Sequence, residues 1–450
     1  MSFAAAGARL GTWTGHEAPW DLAQLNRTRA WFLLKSHSVR ELYMYRHSRA
    51  VAFMVALAAI PAAAQQAAEP NPQTQTAAAA TALPPPPPQE GAGFVDKARR
   101  WADEHQILER LNGDVDGWYP RLGGMTRGGG FAVGPGYRTH VGNVLVDLSA
   151  GISTKTYKAA DVRVRWLQAF DDRLELWTSY RYEDFPQEDY FGRGLTSVRD
   201  QRTSYDFDSN EVRALGLFKP MPWLRLGTEI GYIAPDVGEG SDPSYPSIEQ
   251  LFTDVEAPGL LEQPRFLHTT VFLDVDYRDE RGRPRRGGFY HLAMGSWNDR
   301  TLERYDFKRF DANATQWMPL DADKKHVVLG RVGLSYVNNE PGSRVPFYFL
   351  PYVGGVDTIR SFHEFRYRDE NALWLTAEYN LTLMKWVSVA TFVDAGKVAA
   401  DWQDIELSGL KKGYGFGVRV HSNRQTFARM DFGTGGGEGW KVFLKLGPSF

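Results

Sequence analysis

Asp274 and Asp276 stand two residues apart in a run of alternating residue types, so an extended chain turns both carboxylates to one face. Paired carboxylates can divide the acid and base roles of a reaction. The plainer reading is a solvated polar face, because Arg278 continues the same alternation. His291 and His421 lack a set of metal-ligand residues near them in the sequence. Gly433 to Gly437 is a turn cluster and not a phosphate cradle, since no helix pattern follows it. The sequence carries no G-x-S-x-G elbow, no H-E-x-x-H pair and no P-loop. It has no cysteine, which removes thiol nucleophiles, thiolate zinc sites and disulfides. No enzyme activity, metal or cofactor is expected.

The elements that carry these residues are strands. From about Trp118 onward, apolar and polar residues alternate with period two. Val144, Val146, Leu148, Ala150 and Ile152 oppose Asp147, Ser149 and Gly151. Ala160, Val162, Val164 and Trp166 oppose Asp161, Arg163 and Arg165. Leu224, Leu226, Thr228 and Ile230 oppose Arg225, Gly227 and Glu229. In the last segment Trp440, Val442, Leu444, Leu446, Pro448 and Phe450 share one face. The polar face holds charges of both signs and the apolar face holds almost none. A transmembrane β-barrel requires this division, one face meeting lipid and the other a wet lumen. A soluble sandwich alternates as well, with the apolar face as its core. The export signal and the terminal aromatic favour the membrane reading.

The expected fold is all-β: a transmembrane antiparallel β-barrel of about 16 strands over 118–450, preceded by a short N-terminal helix. Connections near Val141-Gly142, Asp171-Asp172, Met221-Pro222, Lys385 and Asn423 are short, whereas 183–204, 234–264 and 338–370 are long. Short periplasmic turns and long extracellular loops are the usual asymmetry of such barrels. No run of about 18 apolar residues exists, so no helical span is expected. The net charge of -2 gives no reason to expect a nucleic-acid partner.

Ahead of the barrel, Arg46, His47 and Arg49 precede an apolar run from Ala50 to Ile60, and Pro61, Ala62, Ala63 and Ala64 follow. This reads as a signal peptide over 44–64, cleaved after Ala64. Met44 is the expected start codon, which makes 1–43 a non-native or untranslated extension. Residues 65–91, ending in Pro84 to Pro88, read as an Ala/Pro-rich linker. Phe94, Ala98, Trp101, Leu108 and Leu111 mark one face of a helix within 92–117, placed at the periplasmic mouth, in the lumen or on the surface.

The long loop between the eleventh and twelfth strands carries Gly354, Gly355, Ile359, Arg360, Ser361 and Phe362. In the strand after it, Leu373, Leu375, Ala377, Tyr379 and Leu381 point outward, so Thr376 and Glu378 point inward. In the next, Val387, Val389, Thr391 and Val393 point outward, so Ser388, Phe392 and Asp394 point inward. Glu378 and Asp394 therefore face one lumen from adjacent strands.

Ile359-Arg360-Ser361-Phe362 resembles the V-R-G-F/Y motif of the BamA/TamA outer-membrane assembly barrels, the bacterial surface antigen family. Phe392-Val393-Asp394-Ala395-Gly396 resembles the family's F-x-D-x-G motif, and Ala377-Glu378-Tyr379 its preceding acidic position. Asp276-Tyr277-Arg278-Asp279 with Pro284 and Gly287-Gly288, and Tyr190-Phe191-Gly192, resemble further family elements. The resemblance covers roughly 120–450. It implies a loop folded into the barrel, with Arg360 paired to Asp394 and Glu378. A planar, permanently charged guanidinium suits two carboxylates. Ser361 departs from the motif's glycine, which puts a positive φ there in question.

The resemblance also implies a bacterial outer-membrane location and a role in outer-membrane protein or lipid assembly. The segment ahead of the barrel has no room for the family's POTRA modules, so a POTRA-less member is expected. Partners would be outer-membrane lipids, the barrel assembly machinery during biogenesis, and outer-membrane protein clients. Trp440, Val442, Leu444, Leu446 and Phe450 would form the C-terminal assembly signal. The alternatives are a passive channel or structural barrel, and a soluble secreted β-protein.

Overall fold

The computed structural model describes residues 115–126, 128–169, 173–422 and 425–446. The expected extension, signal peptide and linker lie outside these residues. So do the helical pattern up to Leu111, the turns at Asp171-Asp172 and Asn423, and Pro448 and Phe450.

Among the described residues eighteen strands follow one another. They are β1 (Gly117–Gly123), β2 (Ala132–Val141), β3 (Val144–Ser153), β4 (Lys158–Ala169), β5 (Leu174–Tyr190), β6 (Thr203–Met221), β7 (Leu224–Glu239), β8 (Phe266–Asp276) and β9 (Gly287–Asp299). Then come β10 (Phe307–Pro319), β11 (His326–Asn339), β12 (Tyr352–Val353), β13 (Tyr367–Arg368), β14 (Asn371–Met384), β15 (Val387–Ala399), β16 (Lys411–His421), β17 (Thr426–Thr434) and β18 (Lys441–Leu446). Sixteen of them form one antiparallel sheet in chain order, with β14 following β11. The short β12 and β13 pair with each other inside the long loop. Among the described residues no helix is long and apolar enough to cross a membrane; a barrel crosses with strands.

The sheet curls until its first and last strands meet at one point. A Cβ placed on Gly123 would lie 3.8 Å from Cβ of Leu446. Among the described residues no hydrogen-bonded ladder joins β1 to β18. The first rungs are weak as well. Pro120 stands opposite Pro135, and neither has an N–H to donate.

Side-chain direction follows the alternation. Val162, Ile230, Val271, Met294, Val393 and Val442 stand exposed on the outer wall. So large a contiguous apolar surface would be a liability in water and is the requirement in lipid. Trp118, Trp166, Trp223 and Trp386 ring the end with the short turns; Tyr180, Tyr232, Tyr414 and Trp440 ring the other. Aromatic girdles of this kind sit at the two membrane interfaces. Inside, charges pair across strands: Arg121 to Asp161 at 2.7 Å, Arg181 to Asp161 at 2.6 Å, Arg138 to Asp147 at 2.6 Å and Lys219 to Glu175 at 2.8 Å. Val271→Arg, on the outer wall, is expected to cost about 2–4 kcal/mol. Thr270→Arg, one position away and inward, is expected to be tolerated. Urea titrations of folding into lipid vesicles would compare them.

The expected loops prove shorter than their sequence limits. The 183–204 loop is only 191–202, and that at 234–264 is 240–265, because β5, β6 and β7 continue beyond the length a membrane needs. The polar stretch Glu183–Tyr190, with Pro186 in it, reads as loop. A register shift between Phe185 and Glu188 absorbs the proline and lets pairing continue to Tyr190. The loop expected at 338–370 begins after Asn339, and the strand expected from Trp118 begins at Gly117. Over the mouth with the long loops, aromatic residues from loops and strand ends form an apolar cap. Phe347 sits within it, 5.0 Å from the ring of Tyr190 and 4.9 Å from that of Tyr205.

Candidate functional site

The site is built from the loop 340–370 and the inward faces of β14 to β17. Gly354 and Gly355 take φ of +116° and +98°, turning the chain after β12 down into the lumen. Hydrogen bonds within the tip hold its shape: Gly354 N–H to Thr358 Oγ1 at 2.8 Å and Val356 N–H to the Glu364 carboxylate at 2.9 Å.

Arg360 lies at the bottom of the tip and is 1% exposed. Its Nε and Nη2 donate to the two oxygens of Asp394, each at 2.9 Å, and its backbone N–H adds a third bond at 3.0 Å. Nη1 donates to Glu378 at 2.6 Å. The guanidinium carbon stands 3.4 Å from the ring centre of Phe392. Burial opposes the charge on Arg360, but Asp394 and Glu378 outweigh it and hold the group firmly protonated. Ladder pairing fixes the two carboxylates: Thr376 stands opposite Asp394, and Glu378 opposite Phe392. Thr376 also donates to Asp394 at 3.0 Å.

Ile359 and Phe362 are both fully buried, with Val353, Tyr367, Trp374 and Val398 around them. Ser361 is buried too, and it is not among the residues with positive φ; in this loop Phe365, at +56°, takes that conformation. The motif glycine is dispensable at 361 because the backbone there stays in the ordinary region. Space for the tip comes from β17 and the turn after it. A Cβ on Gly433 would stand 1.9 Å from the carbonyl oxygen of Arg360, and one on Gly436 would stand 2.0 Å from the Phe362 ring. The cluster at 433–437 is thus where the loop tip packs. Gly396 lies beneath Ile359, whose Cδ1 a Cβ would meet at 3.2 Å.

The ionic constellation extends past the residues singled out from the sequence. Arg419 bonds Glu378 at 3.2 Å and pairs with Asp431 at 2.6 Å. Arg429 donates to the carbonyl of Val356 at 3.0 Å, and Arg331 to that of Asp357 at 2.7 Å. Lys445 of the last strand bonds Asp357 at 2.9 Å. Arg366 pairs with Glu438 at 2.5 Å. Inward parity on β16 and β17 marks Arg419, Arg429 and Asp431 as lumenal. Their height along the strand, level with Arg360, is what sequence reading lacked.

His363 accepts a hydrogen bond from the Lys441 ammonium at 2.7 Å. Burial, then Lys441, Arg202, Arg199 and Arg366 in turn, push its pKa down to about 3. A neutral imidazole contributes stability that is full above its ordinary pKa of about 6.5 and is lost as pH falls toward 3. His363→Gln should therefore narrow the gap in unfolding midpoint between pH 7 and pH 4, measured against the parent chain.

The other residues singled out from the sequence line the wall. Asp274 pairs with Arg225 at 3.3 Å, and His291 bonds Asp274 at 2.6 Å. Asp276 receives the Arg278 fork at 2.7 and 2.9 Å. His421 bonds Ser388 at 2.7 Å, but its other ring nitrogen faces the Thr426 hydroxyl where a catalytic triad would have a carboxylate. In the turn after β8, Arg283 donates to the carbonyl of Lys385 and Gly282 accepts from Thr426, each at 3.0 Å. That turn thus ties β8 and β9 to β17 and the β14–β15 turn at the end with the short turns. Tyr190 and Phe191 are buried, and Arg366 lies over the Phe191 ring at 4.9 Å. Trp440, Val442 and Leu444 face outward from the seam.

Residues 262–440 match the Omp85 superfamily domain, a span that holds the loop and the strands bearing its partners. That part of the barrel is similar to the Omp85 superfamily domain. BamA from Haemophilus ducreyi lacking POTRA domains 1-3 is similar in structure, with a TM-score of 0.55 and 14% identity over 74% of this chain and 70% of that one. At that identity the likeness is one of fold. CdiB from Escherichia coli is similar at a TM-score of 0.48 and 13% identity, covering 73% of this chain and 61% of that one. CdiB from Acinetobacter baumannii is similar at 0.45 and 12%, covering 74% and 59%. No curated protein matches the chain. The Omp85 domain and the barrel imply a bacterial outer-membrane protein.

Proposed function

We propose that this Omp85-type barrel serves outer-membrane assembly, inserting protein or lipid, with the 340–370 loop held in the lumen by Arg360 on Asp394 and Glu378. One observation carries the reading: a fully buried arginine at a loop tip, bonded to carboxylates on two neighbouring strands. A loop arginine serving only solubility would stay in water, where a pair is worth about 0–1 kcal/mol. The unpaired margin between β1 and β18 supports the same role, since an assembly barrel must open its wall to lipid or client. The expected partners are outer-membrane lipids, client barrels, and the assembly machinery that would fold this chain through Trp440, Val442, Leu444, Leu446 and Phe450. The role requires no enzymatic step. Depletion of the protein is expected to lower the amount of folded outer-membrane proteins or to alter lipid composition. An unchanged outer membrane would overturn the reading.

A passive channel is the second reading, favoured by the charged lumen. Planar-bilayer recordings separate the two. A large, steady conductance marks a pore, and small, unstable events mark a barrel closed by its loop.

A further inference from the structure

We infer that the lumen chamber beside the β1–β18 seam binds the phosphorylated headgroup of an outer-leaflet lipid, its acyl chains leaving through the seam. The chamber has a volume of about 940 Å³ and is bordered by both margins of the seam, Gly123 to Thr126 on one side and Lys441 to Leu446 on the other. Above the contact of Gly123 with Leu446, no strand pairing among the described residues closes the wall. Val442 and Leu444 turn outward there, so the opening has an apolar sill that acyl chains can cover.

The charge inside suits a phosphate. Seven cationic side chains line the chamber, Lys155, Arg181, Arg202, Arg309, Arg368, Lys441 and Lys445, against five carboxylates. Asp189 and Asp357 are engaged by Arg202 and Lys445 at 2.9 Å each, Glu183 stands 3.5 Å from Arg181, Glu364 accepts the Val356 N–H at 2.9 Å, and Glu188 is the fifth. Lys155 and Lys441 also line the chamber, and neither has a carboxylate within ion-pair distance among the described residues. Among the described residues Lys441 bonds only the neutral imidazole of His363, which leaves two of its N–H donors for a ligand. Arg199, exposed on a single 3-10 turn, contributes to the same positive field at His363. All of these groups stand at the end with the long loops, the level of outer-leaflet headgroups. A free phosphate offers the same oxygens, but it would leave the apolar opening uncovered.

The inference presupposes the membrane-embedded barrel and not its assembly role, and its test leaves that role untouched. The full chain is placed in nanodiscs holding equal phosphatidic acid and phosphatidylcholine, and retained lipid is counted by native mass spectrometry. Phosphatidic acid should be enriched about tenfold, the scale of one charge-assisted hydrogen bond. Lys441→Gln with Arg199→Gln should bring retention back to the bulk ratio. Heat-modifiable migration in a gel verifies that the variant is folded, and Arg199→Gln alone, on an exposed turn, serves if it is not. Sodium phosphate should displace the lipid better than sodium chloride at equal ionic strength. Equal retention of the two lipids, an unchanged preference in the variants, or bound phosphate without lipid enrichment would each overturn the proposal.

Discussion

Arg360→Ala should lower the stability of the folded barrel by about 3–5 kcal/mol and raise its conductance in planar bilayers. The size follows from what the change leaves behind. Asp394 and Glu378 are 0% and 3% exposed, and both rely on this guanidinium. Removing one partner of a buried ion pair strands a charge in a low-dielectric site, which is far costlier than the pair is worth. Arg419 still touches Glu378, so Asp394 bears most of the loss. Arg360→Lys should recover only part of it, because an ammonium cannot bond both oxygens of Asp394 while reaching Glu378. The conductance arises because the tip, released from Asp394, no longer fills the lumen. An alanine variant with the heat stability and conductance of the parent would refute the loop-holding role of Arg360.

Gly433→Ala is expected to destabilise the barrel through the same loop without touching a charge. The new methyl would stand 1.9 Å from the Arg360 carbonyl, and that obstacle is backbone with no rotamer to yield. Overpacking a well-filled site costs about 1–3 kcal/mol, and here relief requires lifting the tip off its carboxylates. The two substitutions should therefore be far from additive. Once the tip has left, Arg360→Ala has little more to lose, and a double-mutant cycle with heat stability as readout measures this coupling. Additive losses would mean that the tip is not the shared element.

Much of this was legible in the residues one at a time. Period-two alternation assigned Glu378, Phe392 and Asp394 to the lumen, because adjacent side chains of a strand cannot share a face. The same parity put Val162 and Val271 outside. Where reading failed, a local signal misled. The polar, proline-bearing stretch Glu183–Tyr190 has the composition of a loop, yet it is strand through a bulge that only its partner β6 reveals. Ser361 in place of a glycine put a positive φ there in question, and none occurs; the positive φ at Phe365 had no signal, since the residue type gives no hint of it.

By itself, the sequence determined the class and the division of faces, because hydrophobic alternation is a local property that lipid and water sort side by side. It also nominated Arg360, Glu378 and Asp394 through short motifs. Tertiary structure alone decided that Arg419, Asp431, Arg429 and Arg331 stand at the height of Arg360, and that Lys441 and Lys445 of the last strand meet the loop. Height in a barrel depends on the stagger accumulated from strand to strand, and no stretch of chain encodes that sum locally. Charges distant in sequence thus become neighbours only once the sheet has curled.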